Sequence, residues 1–217
     1  LGGHGIENQD EFSNYGKINI GQTSLVQGDG IVNSIDIFGA VPIAYFNNYG
    51  ILTVEKSTLD GIANLISGEF TNYENGQITI GSQTSSVLGN GIYNLVSFQN
   101  FGTIDIQGAF KDGIHNPGTF ANFTNAELTI QPVGTLTESG IDNSGTFTNF
   151  GCADITLNDN LYNTSTFGNI GFLFINTSKS HDTASGNLNN DGAIIHLQNN
   201  PFSGGINNND IILSPLS

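Results

Sequence analysis

Apolar side chains alternate with polar ones in short stretches of this chain, and these stretches return about every six residues. In one such segment Ile92, Phe98 and Ile104 each have polar residues close on either side. Alternation with a period of two is typical of a strand that buries one face, whereas a helix repeats its apolar positions every three to four residues. The pattern therefore predicts three short strands in succession. Helix is also disfavoured by composition, because Gly, Asn, Thr, Ile and Phe fill these segments.

The three-strand segment is a repeating unit that begins with the tetrapeptide Gly-Ile-x-Asn or a weaker copy of it. The unit continues with Phe-x-Asn, a bend, Ile-x-Ile and a loop of variable length. A repeat of about 25 residues is the length of one supersecondary unit in a solenoid, where each unit packs only against its neighbours. The nine copies start at Gly5, Gly30, Gly61, Gly91, Gly113, Gly140, Asn160, Asn187 and Gly205.

Stacking of these units predicts an all-β, single-domain parallel β-helix of about nine rungs with three short strands each, over residues 1–217. Each strand then pairs with its copy one rung away, at about 4.8 Å. The two asparagines of each unit should form columns at two corners, because stacked amides can bond to their copies and Asn tolerates a left-handed backbone. The Asp or Asn before the tetrapeptide is interpreted as a turn former that precedes a left-handed Gly.

A second column is predicted from the residue that follows the Phe-x-Asn asparagine, which is aromatic in most units. Neighbouring rings should stack at a bend of the solenoid, at the separations that aromatic pairs favour. A strip of sugar-binding aromatic residues is the alternative, although half of these residues are Phe and lack a polar tip. The residues are Tyr15, Tyr49, Tyr73, Phe101, Phe123 and Phe150.

The charge of the chain restricts its partners. The net charge is −15, with four Lys and no Arg, so phosphate-tracking contacts to nucleic acid are excluded and binding to an anionic membrane surface is disfavoured. No stretch is long and apolar enough for membrane insertion. Cys152 is the single cysteine, which leaves no intrachain disulfide, and it is interpreted as a small, partly buried residue.

The Asn-rich Gly-Thr-Phe-x-Asn-x-Gly-Thr-Ile-x-Ile pattern resembles the parallel β-helix repeats of large secreted bacterial adhesins and surface-filament proteins, especially those of Bacteroidota. The resemblance covers residues 5–213. It implies a right-handed β-helix that is secreted or displayed on the bacterial surface as a non-catalytic stalk, adhesive arm or filament protomer. The expected partners are other copies, other segments of a longer parent array, or cell-surface glycans. Carbohydrate-binding, polysaccharide-degrading and ice-binding β-helices are the alternatives, and the resemblance supplies no catalytic residues.

One candidate metal site lies among outward residues of the third strand. Asp105, Glu127 and Asp154 fall on three successive rungs of one face, with Asp154 expected in the same column as Glu127. Three carboxylates could hold Ca²⁺, and a close pair could serve a glycosidase. A solvated acidic face without a ligand is the competing interpretation, and no other cofactor is indicated. The four His fall on different rungs without a zinc-binding spacing.

A candidate interface is predicted in the seventh unit, where the third strand reads Gly-Phe-Leu-Phe-Ile. If Leu173 points inward, Phe172 and Phe174 must point outward, and Tyr162 lies on the outer side of the first strand of the same unit. Exposed rings of this size favour burial, either against another copy or beneath the loop that runs from Asn176 to Ser185.

Overall fold

The computed structural model describes residues 3–35, 43–82, 84–131, 139–156, 160–176, 181–196 and 202–213. Within these ranges the chain forms β-strands and turns without any helix. A membrane-spanning helix is accordingly not found in this part of the chain.

The strands, numbered in chain order, fall into three groups that form three faces. The first face contains β1 (Ile6–Asn8), β4 (Ile31–Asn33), β7 (Ile62–Asn64), β10 (Ile92–Asn94), β13 (Ile114–Asn116), β16 (Ser139–Asn143) and β19 (Asn160–Asn163). The second face contains β2 (Glu11–Asn14), β5 (Ala44–Asn48), β8 (Gly68–Asn72), β11 (Ser97–Asn100), β14 (Thr119–Asn122), β17 (Thr146–Asn149) and β20 (Thr166–Asn169). Two longer strands run through both faces, namely β22 (His181–Asn190) and β24 (Phe202–Asn208). The third face contains β3 (Lys17–Ile20), β6 (Ile51–Val54), β9 (Gln77–Ile80), β12 (Thr103–Ile106), β15 (Glu127–Ile130), β18 (Cys152–Thr156), β21 (Phe172–Asn176), β23 (Ala193–His196) and β25 (Ile212–Leu213).

Every one of these strands pairs in parallel with its counterpart on the next rung, which confirms a parallel β-helix of nine rungs. The third face is a nine-stranded sheet that runs in rung order from β3 to β25. The first and second faces are joined into one sixteen-stranded sheet, because β22 continues across the corner between them. Register is kept from rung to rung, so that Ile62 pairs with Ile92 and Ile92 with Ile114.

The last two tetrapeptide assignments were in the wrong strand. Leu188 aligns with Phe167 on the second face, and Ile206 aligns with Leu188. The copies at Asn187 and Gly205 are therefore Phe-x-Asn strands rather than Gly-Ile-x-Asn strands. The misassignment has a physical cause, since strands of both faces end as apolar-x-Asn and a Leu or Ile can occupy the position of a Phe.

Inside the coil, identical side chains stack on one another. The Phe row of the second face has neighbouring ring centroids 4.6–5.0 Å apart, and from Phe46 to Phe167 its rings are fully buried. The Ile row of the first face is equally buried from Ile31 to Ile141. Both rows consist of the apolar residues that alternate with polar ones in the sequence, so the predicted burial of one face of each strand is confirmed. They form one continuous hydrophobic core along the axis.

Two ladders of asparagine side chains cross the rungs at the corners. In each ladder the Nδ2 group donates to Oδ1 of the Asn one rung later, at 2.7–2.9 Å. The same Nδ2 also donates to backbone carbonyls, as Asn64 does to Ser97 at 2.8 Å. These buried amides are thereby satisfied, as buried polar groups must be. The ladders run from Asn8 to Asn163 and from Asn14 to Asn208.

The glycines that begin the tetrapeptides allow successive rungs to approach each other closely, and they do not adopt a left-handed backbone. Among the described residues, positive φ occurs only at Gly21, Gly81, Ser67 and Asn125, so the predicted left-handed Gly of the tetrapeptide is wrong. At Gly91 a Cβ would lie 2.6 Å from the carbonyl oxygen of the next tetrapeptide Gly and 2.8 Å from an Ile methyl group. Because the carbonyl oxygen belongs to the next rung and the methyl group to the core of the same rung, Ala at this position would push the two rungs apart.

We expect Asn100→Ala to lower the free energy of unfolding by roughly 2–4 kcal/mol, because it leaves several buried partners unsatisfied. Asn100 receives a bond from Asn72 at 2.8 Å and donates to Asn122 at 2.7 Å. Urea unfolding followed by circular dichroism measures the change. The matched control is Gln99→Ala on the outer side of the same strand, which should shift the midpoint little. Equal effects of the two substitutions would contradict a stabilising role for the ladder.

Candidate functional site

A groove runs along the third corner, where the loops from third-face strands return to the first face. It has a volume of about 490 Å³ and is lined by Ala63, Tyr93 and His115 from the first face and by the loops that contain Asp60 and Asp112. The first-face residues occupy one outward column, in which Ala63 pairs with Tyr93 and Tyr93 with His115. The small side chain of Ala63 leaves room beside the larger rings that follow it.

A third ladder, of acidic and amide side chains, forms the back of this groove. Each member accepts the backbone N–H of its equivalent one rung later: Asp29 from Asp60 at 2.8 Å, Asp60 from Asn90 at 2.7 Å, and Asp112 from Ser139 at 2.7 Å. Burial raises the pKa of the Asp60 carboxyl. These residues were predicted as turn formers, and the structure adds that their side chains fasten successive rungs together.

The groove ends at a cluster of two carboxylates around one imidazole. Nδ1 of His115 lies 2.8 Å from Oδ2 of Asp142 and 3.6 Å from Oδ2 of Asp112. The side chain of Asp112 is only 2% exposed, while those of His115 and Asp142 are 31% and 20% exposed. Side-chain hydrogen bonding to Asp112 and Asp142, together with the negative charges of these carboxylates, raises the pKa of His115 to about 9. At neutral pH the three side chains therefore form an ion triplet across two rungs.

The sequence interpretation missed this cluster, since it looked for histidines close to one another along the chain. A usable signal was present in the repeat itself. His115 and Asp142 occupy the variable position of two consecutive tetrapeptides, and β13 and β16 pair these residues directly. Asp112 immediately precedes the tetrapeptide that contains His115. Alignment of the units, position by position, would have placed all three residues at one corner.

The carboxylates predicted to bind calcium are spread over two columns. Asp105 aligns with Thr129 and Thr129 with Asp154, whereas Glu127 aligns with Cys152. The expected alignment of Asp154 with Glu127 was wrong, because Ala153 rather than Ile155 begins the interior row of β18. Among the described residues, the one group of three His, Cys, Asp or Glu side chains with ligand atoms within 4.8 Å of one another is the Asp112–His115–Asp142 cluster.

The predicted aromatic column is confirmed and forms a ridge at the second corner whose inner rings are half-buried and whose end rings are exposed. It is here called the aromatic rail (Tyr15, Tyr49, Tyr73, Phe101, Phe123 and Phe150). Adjacent ring centroids are 4.1–6.4 Å apart, and all five pairs are stacked. A side-chain hydrogen bond with Tyr73 raises the pKa of the Tyr49 hydroxyl to about 12. Because each ring covers the face of the next, the rail presents ring edges to solvent, whereas a sugar stacks on a ring face.

Two grooves flank the rail where the corner has two additional residues. The turn from Tyr73 to Gly76 is closed by a 2.7 Å backbone bond and borders a groove of about 350 Å³. The turn from Phe123 to Ala126 is closed by a 3.0 Å bond, with Asn125 at φ 68°, and borders a groove of about 510 Å³. The ring separations are widest near these two turns, at 6.4 and 5.9 Å.

The second of these grooves leads to the predicted interface. Phe172 points outward and is 57% exposed, Leu173 is buried and Phe174 is half-buried, as predicted. The exposed Phe172 ring borders the groove together with Phe150 and Ile170. We call Phe150, Ile170 and Phe172 the apolar patch.

Two parts of the predicted interface lie apart from this patch or beyond the described residues. Tyr162 is on the first face, in the column of Asp142, and thus on a different sheet from Phe172. Of the loop predicted to cover the rings, residues 177–180 lie outside the described residues. Cys152 aligns with Phe172, and burial raises the pKa of its thiol, which fits a structural cysteine.

Comparison with models of known protein families found no match, and searches of curated proteins and of solved structures also found none. The class that the fold defines is the parallel β-helix solenoid with asparagine ladders.

We expect the metal-free protein to lose stability as pH rises from about 6.5 to 9. The pKa of His115 is raised from 6.5 to about 9 in the fold. The contribution of its proton to stability is therefore fully present below pH 6.5 and is lost as the pH rises through 9. Solvent screening of this partly exposed group limits the loss to roughly 1 kcal/mol. Thermal unfolding at a series of pH values, with a chelator present, measures it. His115→Gln should remove this pH dependence, and an equal slope in the variant would contradict its origin in the triplet.

Proposed function

We propose that this β-helix is a non-catalytic structural and adhesive module that associates with further copies of itself, as a stalk, adhesive arm or filament protomer. The observation that carries this proposal is the exposed apolar patch beside the aromatic rail. Phe172 and Ile170 are 57% and 49% exposed, and Phe150 is 36% exposed. At about 25 cal/mol per Å², burial of the exposed part of Phe172 alone contributes about 2 kcal/mol to an association.

The charge of the chain favours this patch as the point of contact between copies. With a net charge of −15, two copies repel one another over most orientations, and the repulsion is smallest where uncharged surfaces meet. The groove at the patch is lined by Thr, Asn, Gly and apolar residues, with Glu127 as its one acidic side chain among the described lining. A second copy, or a neighbouring segment of a longer array, is therefore the proposed occupant.

The internal use of polar groups supports a scaffold rather than an enzyme. The side chains of the corner asparagines bond to one another in the ladders, and the aspartates of the third corner accept backbone N–H groups. Secretion or display at the bacterial surface is part of the proposal and is supported by the resemblance of the repeat to adhesin and surface-filament repeats. An ice-binding face is disfavoured, because the Thr column of the third face is interrupted by Asp105 and Asp154.

Binding of cell-surface glycans is a second candidate, and one observation favours it. The groove at the turn from Tyr73 to Gly76 combines Tyr49, Tyr73 and Phe101 with the polar side chains of Glu74 and Asn75. Sugar rings need such a mixture of apolar and hydrogen-bonding contacts. The rail outside this groove offers only ring edges, so glycan contacts would be confined to the turn.

We expect Glu74→Ala with Asn75→Ala to abolish any retention of the protein in polysaccharide affinity gels, since the pair removes the polar contacts of this groove. Thr124→Ala with Asn125→Gly changes the equivalent turn and serves as the control. Retention that survives in the Glu74 and Asn75 variant, or is absent from the unmodified chain, would contradict the glycan candidate.

We expect Ile170→Asp with Phe172→Thr to convert the protein from a concentration-dependent oligomer into a monomer. The replacements reproduce residue types of other rungs, because Asp191 follows Ile170 in its column and Thr103 lies in the column of Phe172. Sedimentation velocity measures assembly, and thermal unfolding checks that the fold is kept. Ile66→Ser removes an equally exposed apolar residue at the first corner and should leave assembly unchanged. A monomeric unmodified chain at about 100 µM, or an unaffected variant, would contradict self-association through the patch.

A further inference from the structure

We propose that Asp112, His115 and Asp142 bind a divalent transition-metal ion of the zinc type, which links the fifth and sixth rungs. This inference is independent of the proposed adhesive function, because the cluster lies at the third corner and the apolar patch at the second. The ligand atoms would be Nδ1 of the imidazole and one carboxylate oxygen from each aspartate. All three atoms lie within 4.8 Å of one another.

The separations of these atoms fit a tetrahedral ion. Zinc bonds to nitrogen and oxygen of about 2.1 Å place tetrahedral ligands about 3.4 Å apart. The distance from His115 Nδ1 to Asp112 Oδ2 is 3.6 Å, and that to Asp142 Oδ2 is 2.8 Å. The His115–Asp112 separation is therefore already close to the required value, and the His115–Asp142 separation must increase by about 0.6 Å. The two carboxylate oxygens, which lie within 4.8 Å of each other, must come to about 3.4 Å. Asp142 is half-buried on the outer side of β16, where its side chain can move.

The buried carboxylate of Asp112 is a second and independent indication of a ligand. Its Oδ1 is fixed by the backbone N–H of Ser139 at 2.7 Å, and this bond directs Oδ2 towards the imidazole. Among the described residues no donor lies within hydrogen-bond distance of Oδ2, whose nearest partner is His115 Nδ1 at 3.6 Å. The Asp112 side chain is only 2% exposed, so the imidazole at 3.6 Å is all that offsets the cost of burying Oδ2 among the described residues, and a metal ion at bonding distance would satisfy this oxygen more fully.

The ligand types determine which ion is expected. Imidazole nitrogen suits Zn²⁺ and similar transition metals, whereas Ca²⁺ and Mg²⁺ prefer sets made only of oxygen. The imidazole is held in place by Tyr93, whose ring centroid lies 5.3 Å from it. The groove that Asp112 and His115 line provides access for the ion and room for water at the fourth position. The net charge of −15 also raises the local concentration of cations.

The first rung contains a natural comparison for this site. His4 Nδ1 lies 3.1 Å from Asp29 Oδ2, much as His115 lies near Asp142. However, His4 Nδ1 accepts the backbone N–H of Asp29 at 3.1 Å, so its lone pair is already used. No second carboxylate joins this pair among the described residues. A His–Asp pair alone thus serves as a matched control for the three-ligand cluster.

The test is isothermal titration of the chelator-treated protein with Zn²⁺, together with thermal unfolding in the presence and absence of the ion. We expect one Zn²⁺ per chain and a rise in Tm, with no heat and no rise for Ca²⁺ or Mg²⁺ at the same concentration. His115→Gln and Asp142→Asn should each weaken binding at least about tenfold and remove the rise in Tm. His4→Gln should bind like the unmodified chain.

Circular dichroism of each variant establishes that the β-helix is intact before binding is compared. Asp142→Asn is the decisive variant, because its side chain faces outward and keeps its shape when the charge is removed. Absence of stoichiometric Zn²⁺ binding by the unmodified chain would overturn the proposal. Binding that survives in both His115→Gln and Asp142→Asn, or that is lost in His4→Gln, would place the ion elsewhere and overturn it equally.

Discussion

The structure depends on one geometric constraint, which is that each side chain of a parallel β-helix lies directly on its own counterpart about 4.8 Å away. A residue is favourable only if it can contact a copy of itself at that distance. Phe and Ile meet the condition inside the coil, where rings and branched chains stack on their copies and are fully buried. Asn meets it at the corners, because an amide is both a donor and an acceptor. The tetrapeptide is repeated because its Ile and Asn can each contact their own copies on the neighbouring rungs.

Aspartate cannot stack on itself in the same way, since two carboxylates repel and neither can donate. At the third corner the aspartates do not bond to one another. Instead, Asp29 and Asp112 each accept a backbone N–H from the next rung. The same corner thereby accumulates negative charge close to the core. His115 lies beside this charge, between a buried and a half-buried carboxylate. The cluster is thus a departure from self-stacking, in which unlike side chains complement one another across rungs.

Much of the fold could be predicted from the sequence, because the constraint leaves identical residues at regular spacing. The Ile and Phe rows and both Asn ladders followed from alternation and repeat length alone. The errors arose where one position can be filled by different residues of similar volume. Leu188 and Ile206 fill Phe positions, and Ala153 fills an Ile position, which shifted the expected strand or column. The Asp112–His115–Asp142 cluster becomes visible only when the units are aligned position by position. The grooves depend on which loop residues meet across rungs, and loop lengths vary too much for spacing to reveal this.

The direction of the asparagine ladders gives the coil an electrical polarity. Within the two ladders each described Nδ2 group donates to the Asn on its C-terminal side, from Asn8 to Asn163 and from Asn14 to Asn208, so the amide dipoles of both ladders point the same way and add along the axis. Backbone dipoles in a sheet largely cancel by alternation, which leaves these two rows uncompensated. The N-terminal rungs therefore carry the partial negative end and the C-terminal rungs the partial positive end, in the manner of a helix macrodipole. The dipole contribution to the interaction of two coils lying side by side is consequently attractive when they run in opposite directions and repulsive when they run in the same direction.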